Sequence, residues 1–151
     1  MVEEGRPAPD FELLSDDGTR VRLSGLRGRP VVLYFYPRDD TPGCTRQACE
    51  LRDVWASFEE RGAVVLGVSP DTESSHARFK TKYGLPFPLL ADPDREVATL
   101  YGVWREKTSY GKTTMGIVRS TFVIDAEGNV VKALYGVEPG GHAERVLAAL
   151  P

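Results

Sequence analysis

The chain alternates between short uninterrupted apolar runs and longer stretches in which apolar residues recur every three or four positions. Val31 to Tyr36 and Ala63 to Val68 are runs of the first kind, β-branched and aromatic without alternation, which is how a strand covered on both faces reads. The first of them should be central. From Cys44 the apolar positions Cys44, Ala48, Leu51, Trp55 and Phe58 share one helix face. That spacing predicts a helix from Cys44 to Glu60, stopped by Gly62. Ser69-Pro70-Asp71-Thr72 then leads into a second helix over Glu73 to Tyr83. Strand, helix, strand, helix in succession is the pattern of an α/β protein with a largely parallel sheet.

The flanking regions read more simply. Pro7 to Phe11 and Arg20 to Leu23 bracket the turn cluster Ser15-Asp16-Asp17-Gly18, predicting an N-terminal hairpin or extended arm. Asp92-Pro93 looks like the N-cap and first-turn proline of a short helix ending near Tyr101-Gly102. Val103 to Gly116 is polar and weakly patterned, a surface segment with Trp104, Tyr110 and Met115 as isolated anchors. Arg119 to Asp125 and Val130 to Tyr135, joined by Ala126-Glu127-Gly128-Asn129, predict a β-hairpin. A last helix covers His142 to Leu150.

A chain of 151 residues suits one domain. Its net charge of -3, with scattered basic residues, gives no nucleic-acid footprint. It begins Met-Val-Glu-Glu-Gly, with neither a basic start nor an apolar run, so no secretory signal or membrane span is expected and the reading is cytoplasmic. Two cysteines in that reducing setting point to catalysis, redox chemistry or metal binding before a structural disulfide.

Cys44 is the focus. The turn Arg38-Asp39-Asp40-Thr41-Pro42-Gly43 delivers it to the first turn of its helix, where unpaired backbone N–H groups and the macrodipole favour a thiolate over a thiol. A plainly buried structural cysteine is the alternative. Cys49, five residues on, is about 140° round an ideal helix and roughly 8.5 Å away between Cα atoms. A disulfide needs about 7 Å or less, so the two could bond only after the first turns unwind.

The spacing Pro37-x-x-x-Thr41-x-x-Cys44 resembles the peroxiredoxin active-site pattern, and the second cysteine in Cys44-Thr45-Arg46-Gln47-Ala48-Cys49 is similar to the bacterioferritin-comigratory (Q-type) subfamily. Tyr83-Gly84-Leu85-Pro86-Phe87-Pro88 and Arg119-Ser120-Thr121-Phe122 extend the likeness. The resemblance implies one thioredoxin-like domain over residues 1–151, with a central mixed β-sheet flanked by helices and an N-terminal β-hairpin. It implies a peroxidase without a cofactor, acting on hydrogen peroxide and organic hydroperoxides. Cys44 would attack the peroxide, with Thr41, Gly43 and Arg119 binding substrate and Pro37 shielding the pocket. Cys49 would resolve the sulfenic acid as an intramolecular disulfide, re-reduced by thioredoxin or a similar dithiol. An internal resolving thiol makes monomer the default. Without the motif, Thr41 reads as a helix cap, Arg119 as an ion-pair partner and Pro37 as a strand terminator.

Other classes share some of these features. A thiol-disulfide oxidoreductase carries a cysteine three residues after the first, where this chain has Gln47. A peroxide sensor or holdase would act through the oxidised, unwound helix. A zinc site from Cys44, Cys49, His76 and His142 lacks a zinc-ligand spacing, and both histidines read as surface residues. Asp16-Asp17 and Glu59-Glu60 read as turns and solvated faces.

Overall fold

Val31–Phe35 forms a strand of five residues, all buried, and the rest of the chain is layered around it. The computed structural model describes residues 2–151 apart from the side chain of Ser109; Met1 lies outside the described residues. In chain order the elements are β1 (Glu12–Ser15), β2 (Arg20–Arg22), β3 (Val31–Phe35), α1 (Pro42–Asp53), α2 (Trp55–Glu60), β4 (Val64–Ser69), α3 (Glu73–Tyr83) and β5 (Leu89–Ala91). After them come α4 (Glu96–Leu100), β6 (Trp104–Ser109), β7 (Lys112–Ile117), β8 (Ser120–Ile124), β9 (Val130–Tyr135) and α5 (His142–Ala149).

Seven strands make one sheet in the order β2-β1-β5-β4-β3-β8-β9, and β6 pairs with β7 apart from it. Only β3–β4 and β4–β5 are parallel. The other pairings in the large sheet are antiparallel, so the sheet is mixed and the largely parallel reading is corrected. The crossover helices α1 to α3 explain the parallel part. The hairpin of β8 and β9 explains the antiparallel edge.

Because side chains alternate across a strand, β3 feeds two cores. Val32, Tyr34 and Tyr36 pack with Cys44, Ala48 and Leu51 of α1, Phe58 of α2, Phe79 of α3 and Val146 of α5. Val31, Leu33 and Phe35 pack on the other face with Phe11, Val97, Tyr101, Val103, Ile117 and Phe122. Each large apolar side chain so covered contributes about 1.5–3 kcal/mol. Gly67 in β4 is needed for this packing, since a Cβ there would lie 2.9 Å from the Tyr34 ring and from Leu89.

Several expectations need correction. The Cys44 helix starts at Pro42 and is broken at Val54 (φ -111°, ψ 22°), after which Trp55 opens a separate segment. The apolar spacing runs unbroken through the break, because Leu51 and Phe58 reach the same core from both pieces. Gly62 does end the second piece, with φ +65°. The N-terminal hairpin is formed by Glu12–Ser15 with Arg20–Arg22, and Phe11 precedes it to enter the core. Asp92 does not cap the first turn beside Pro93. Its carboxylate accepts from Val97 and Ala98 N–H groups, so the helix begins at Glu96.

The stretch read as a weakly patterned surface segment, Val103 to Gly116, is a regular hairpin, in register from Trp104–Ile117 to Ser109–Lys112. Asp16 is not solvated: it accepts from the Leu89 N–H at 3.0 Å and pairs with Lys80. Both histidines are fully buried rather than on the surface. Among the described residues no helix is long and apolar enough to cross a membrane.

Candidate active site

Strand register assembles the site. Phe35, the last residue of β3, pairs with Ser120, the first of β8, and in parallel with Val68 of β4. Arg119 therefore emerges at the same sheet end as the Pro37–Gly43 turn, although 75 residues separate it from Cys44. The turn leaves the strand at half-buried Pro37 and enters α1 with Pro42 at its first position, where a missing N–H is tolerated. Cys44 lies in the first helical turn, 2 % exposed and facing the core, as the apolar spacing predicts.

The Arg119 guanidinium grips two groups at once. Nη2 donates to Cys44 Sγ at 3.3 Å and Nη1 donates to Gln47 Oε1 at 2.5 Å. This is the planar fork that lysine cannot reproduce. Gln47 is completely buried, and its Nε2 has no partner among the described residues. One turn after Cys44 on the same inward face, it aims the guanidinium at the sulfur. From the sequence, Gln47 stands out only for not being a cysteine. A polar amide on an apolar stripe is the signal that could have found it.

Gly43 lets the guanidinium approach. A Cβ at Gly43 would lie 3.2 Å from Arg119 Nη2 and 3.5 Å from Pro139 Cγ. Thr41 occupies the N-cap position, but its side chain makes no cap bond. Its hydroxyl donates instead to the Arg38 carbonyl at 2.9 Å, which leaves its lone pairs free to act as acceptors. Lys107 of β6 also feels the site: burial and the Arg119 charge push its ammonium pKa down, and Cys44 pushes it back up.

Cys49, half-buried, and Cys44 are both free thiols. The four residues of the zinc reading do not converge. His76 binds Asp39 and the Leu90 carbonyl, His142 binds Thr121, and the only potential metal-holding group among the described residues is Asp39, Asp71 and His76. Burial, with Arg145 and Arg119 nearby, lowers the His142 pKa to about 4, so this ring is neutral at pH 7.

A buried thiol under a guanidinium at the N-terminus of a helix, on a thioredoxin-type sheet, defines a thiol-dependent peroxidase. A model of the AhpC/TSA family matches residues 5–133, and the chain belongs to that family, among its Bcp/PrxQ peroxiredoxins. It is 48% identical over 149 residues to peroxiredoxin Bcp of Bacillus subtilis, covering 99% of this chain and 95% of that protein. Among solved structures it is similar to the bacterioferritin comigratory protein of Xanthomonas campestris, studied for alkyl peroxide reduction (TM-score 0.88, 42% identity, 92% and 88% of the two chains). It also resembles a cysteine-to-serine mutant of Xylella fastidiosa PrxQ, with TM-score 0.92, 37% identity and coverage of 98% and 94%.

Proposed function

We propose that Cys44 is the attacking thiol of this peroxidase and Cys49 the resolving one. The observation that carries this reading is the Arg119 fork, which places a full positive charge 3.3 Å from Cys44 Sγ and ties it to Gln47. The Cys44 thiolate attacks one oxygen of hydrogen peroxide or an organic hydroperoxide. The O–O bond breaks, a sulfenic acid forms on Cys44, and the other oxygen leaves as water or alcohol after taking from solvent the proton that the Cys44 thiol released on ionising. Arg119 stabilises the charge that spreads over sulfur and both oxygens, and preorganised donors of this kind supply most of such a rate. The Thr41 hydroxyl accepts from the peroxide O–H, the Gly43 and Cys44 N–H groups add donors, and Pro37 keeps water from the pocket.

The Cys49 thiol then attacks the sulfenic sulfur, releasing water and forming the Cys44–Cys49 disulfide. Ideal helix geometry puts these Cα atoms roughly 8.5 Å apart against a limit of about 7 Å, so the first turn of α1 must unwind. A thioredoxin-like dithiol reduces the disulfide by exchange, and the enzyme works as a monomer in the cytoplasm.

The test is intact mass and free-thiol count after one equivalent of hydrogen peroxide, for the wild type and for Cys49→Ser, followed by thioredoxin. Expected are loss of both thiols in the wild type, reversed by thioredoxin, and a trappable sulfenic acid only in the variant. The variant should complete its first turnover quickly and then stall. Persistence of both thiols under peroxide, or oxidation falling first on Cys49, overturns the assignment.

A further inference from the structure

The first half of the turn that leads to Cys44, Pro37 to Asp40, is fastened to α3 and to the loop before it. Asp39, 8 % exposed, accepts from Tyr36 Oη at 2.6 Å and from Ser75 Oγ at 2.7 Å, and lies 2.7 Å from His76 Nδ1. Its backbone N–H donates to Asp71 Oδ2 at 2.8 Å, and Ser69 Oγ holds that carboxylate at 2.6 Å. His76 is fully buried and its Nε2 donates to the Leu90 carbonyl at 2.9 Å. Both His76 nitrogens thus face oxygens. The next residue, Asp40, sits at φ +56°, a conformation that strains a non-glycine residue. Lys82 at 2.7 Å and Tyr83 Oη at 2.8 Å hold its carboxylate.

Two consecutive aspartates therefore tie the turn to α3 and to the β4–α3 connection. At Thr41 the tie to α3 gives way: its hydroxyl donates back to the Arg38 carbonyl within the turn, and Cys44 beyond it is held from the start of β8 by Arg119. Such a buried pair is far more costly to break by removing one partner than to leave intact, which suits a fixed point beside a segment that moves.

Resting on the assignment of Cys44 and Cys49 above, the geometry points to His76 and Asp39, with Asp71, as positioning residues for peroxide reduction. They anchor the Pro37–Asp40 turn while the first turn of α1 unwinds beyond Thr41, so that Thr41, Gly43 and Cys44 return to the attacking geometry after each cycle. Loosening the anchor depopulates the attacking conformation. It leaves the unwound, disulfide-forming conformation as accessible as before.

The two steps can be timed separately. Rapid-quench thiol and sulfenic-acid counts give the second-order rate of Cys44 oxidation and the first-order rate of disulfide formation, for wild type, His76→Ala, Asp39→Asn and Asp71→Ala. Slower oxidation by tenfold or more in His76→Ala, with disulfide formation unchanged or faster, is expected. Asp39→Asn, which keeps an acceptor for Tyr36 and a donor toward His76, should recover part of the rate. Asp71→Ala, at a half-buried position outside both cores, decides alone if His76→Ala does not fold; it should slow oxidation about threefold or more. Oxidation within twofold of wild type in the folded variants, or an equal fall in both steps, overturns the anchor. Cys44→Ser run alongside separates the two readings: if it still consumes peroxide, the assignment of the attacking thiol fails, whatever the anchor does.

Discussion

Replacing Gln47 with leucine separates what holds the fold from what aims the site. Two terms act on stability and they oppose. The bond from Arg119 Nη1 to Gln47 Oε1 is lost, and a hydrogen bond to a charged group is worth about 1.5–3 kcal/mol. The buried Nε2, without a partner among the described residues, is removed, and an unsatisfied buried donor costs about 1–3 kcal/mol. Gln47→Leu should therefore unfold within about 1 kcal/mol of wild type. Only the first term touches the reaction, because the guanidinium loses the second anchor that points it at Cys44 Sγ. If that whole term is needed in the transition state, Cys44 oxidation slows by roughly tenfold to 150-fold. Rapid-quench thiol counting under excess peroxide measures the rate, and urea unfolding of the reduced protein measures the stability. An oxidation rate within twofold of wild type would show that Gln47 does not aim Arg119. A stability loss above about 3 kcal/mol would show that the amide was doing more in the fold than its bond to Arg119.

Gly43→Ala places a Cβ 3.2 Å from Arg119 Nη2, so the guanidinium must back away from the sulfur. Oxidation should slow several-fold, about 1 kcal/mol of barrier, with little change in unfolding, and a wild-type rate would mean that the turn yields instead. His142 makes the fold acid-sensitive: its pKa is lowered to about 4, by burial first and then by Arg145 and Arg119. On acidification the unfolded chain takes up a proton near pH 6.5 while the folded ring stays neutral until near 4, so stability falls across that window, by about 2 kcal/mol at pH 5. Urea titrations at pH 7 and pH 5 should show this loss shrinking by a similar amount in His142→Asn; equal pH dependence in the two proteins would refute it.

Local periodicity determined much of this protein in advance. The buried run ending at Tyr36, the inward stripe through Cys44, Ala48 and Leu51, the span of α3 and the stop at Gly62 all follow from which positions must leave water and from what the backbone tolerates nearby. The Pro37, Thr41 and Cys44 spacing pointed to the family to which the full-length likeness then assigned the chain. Periodicity reports which face is buried, and no more than that.

What lies opposite that face is a long-range matter, decided by the sheet. The β6–β7 hairpin was illegible because most of its side chains are solvent-facing and its hold on the core comes through Trp104 and Ile117, paired at its open end, and Val103 just before it. His76 and His142 read as surface residues because their partners, Asp39 and Thr121, stand 37 and 21 residues away. Burying a polar side chain is costly unless such a partner waits, and the helix pattern around it carries no trace of that. Gln47 looked like an absence until the β3–β8 register brought Arg119 across to it. The sequence by itself determined which cysteine would be buried at a helix start; tertiary structure decided what charge would sit on it, because strand pairing alone brings Arg119 to that end of the sheet.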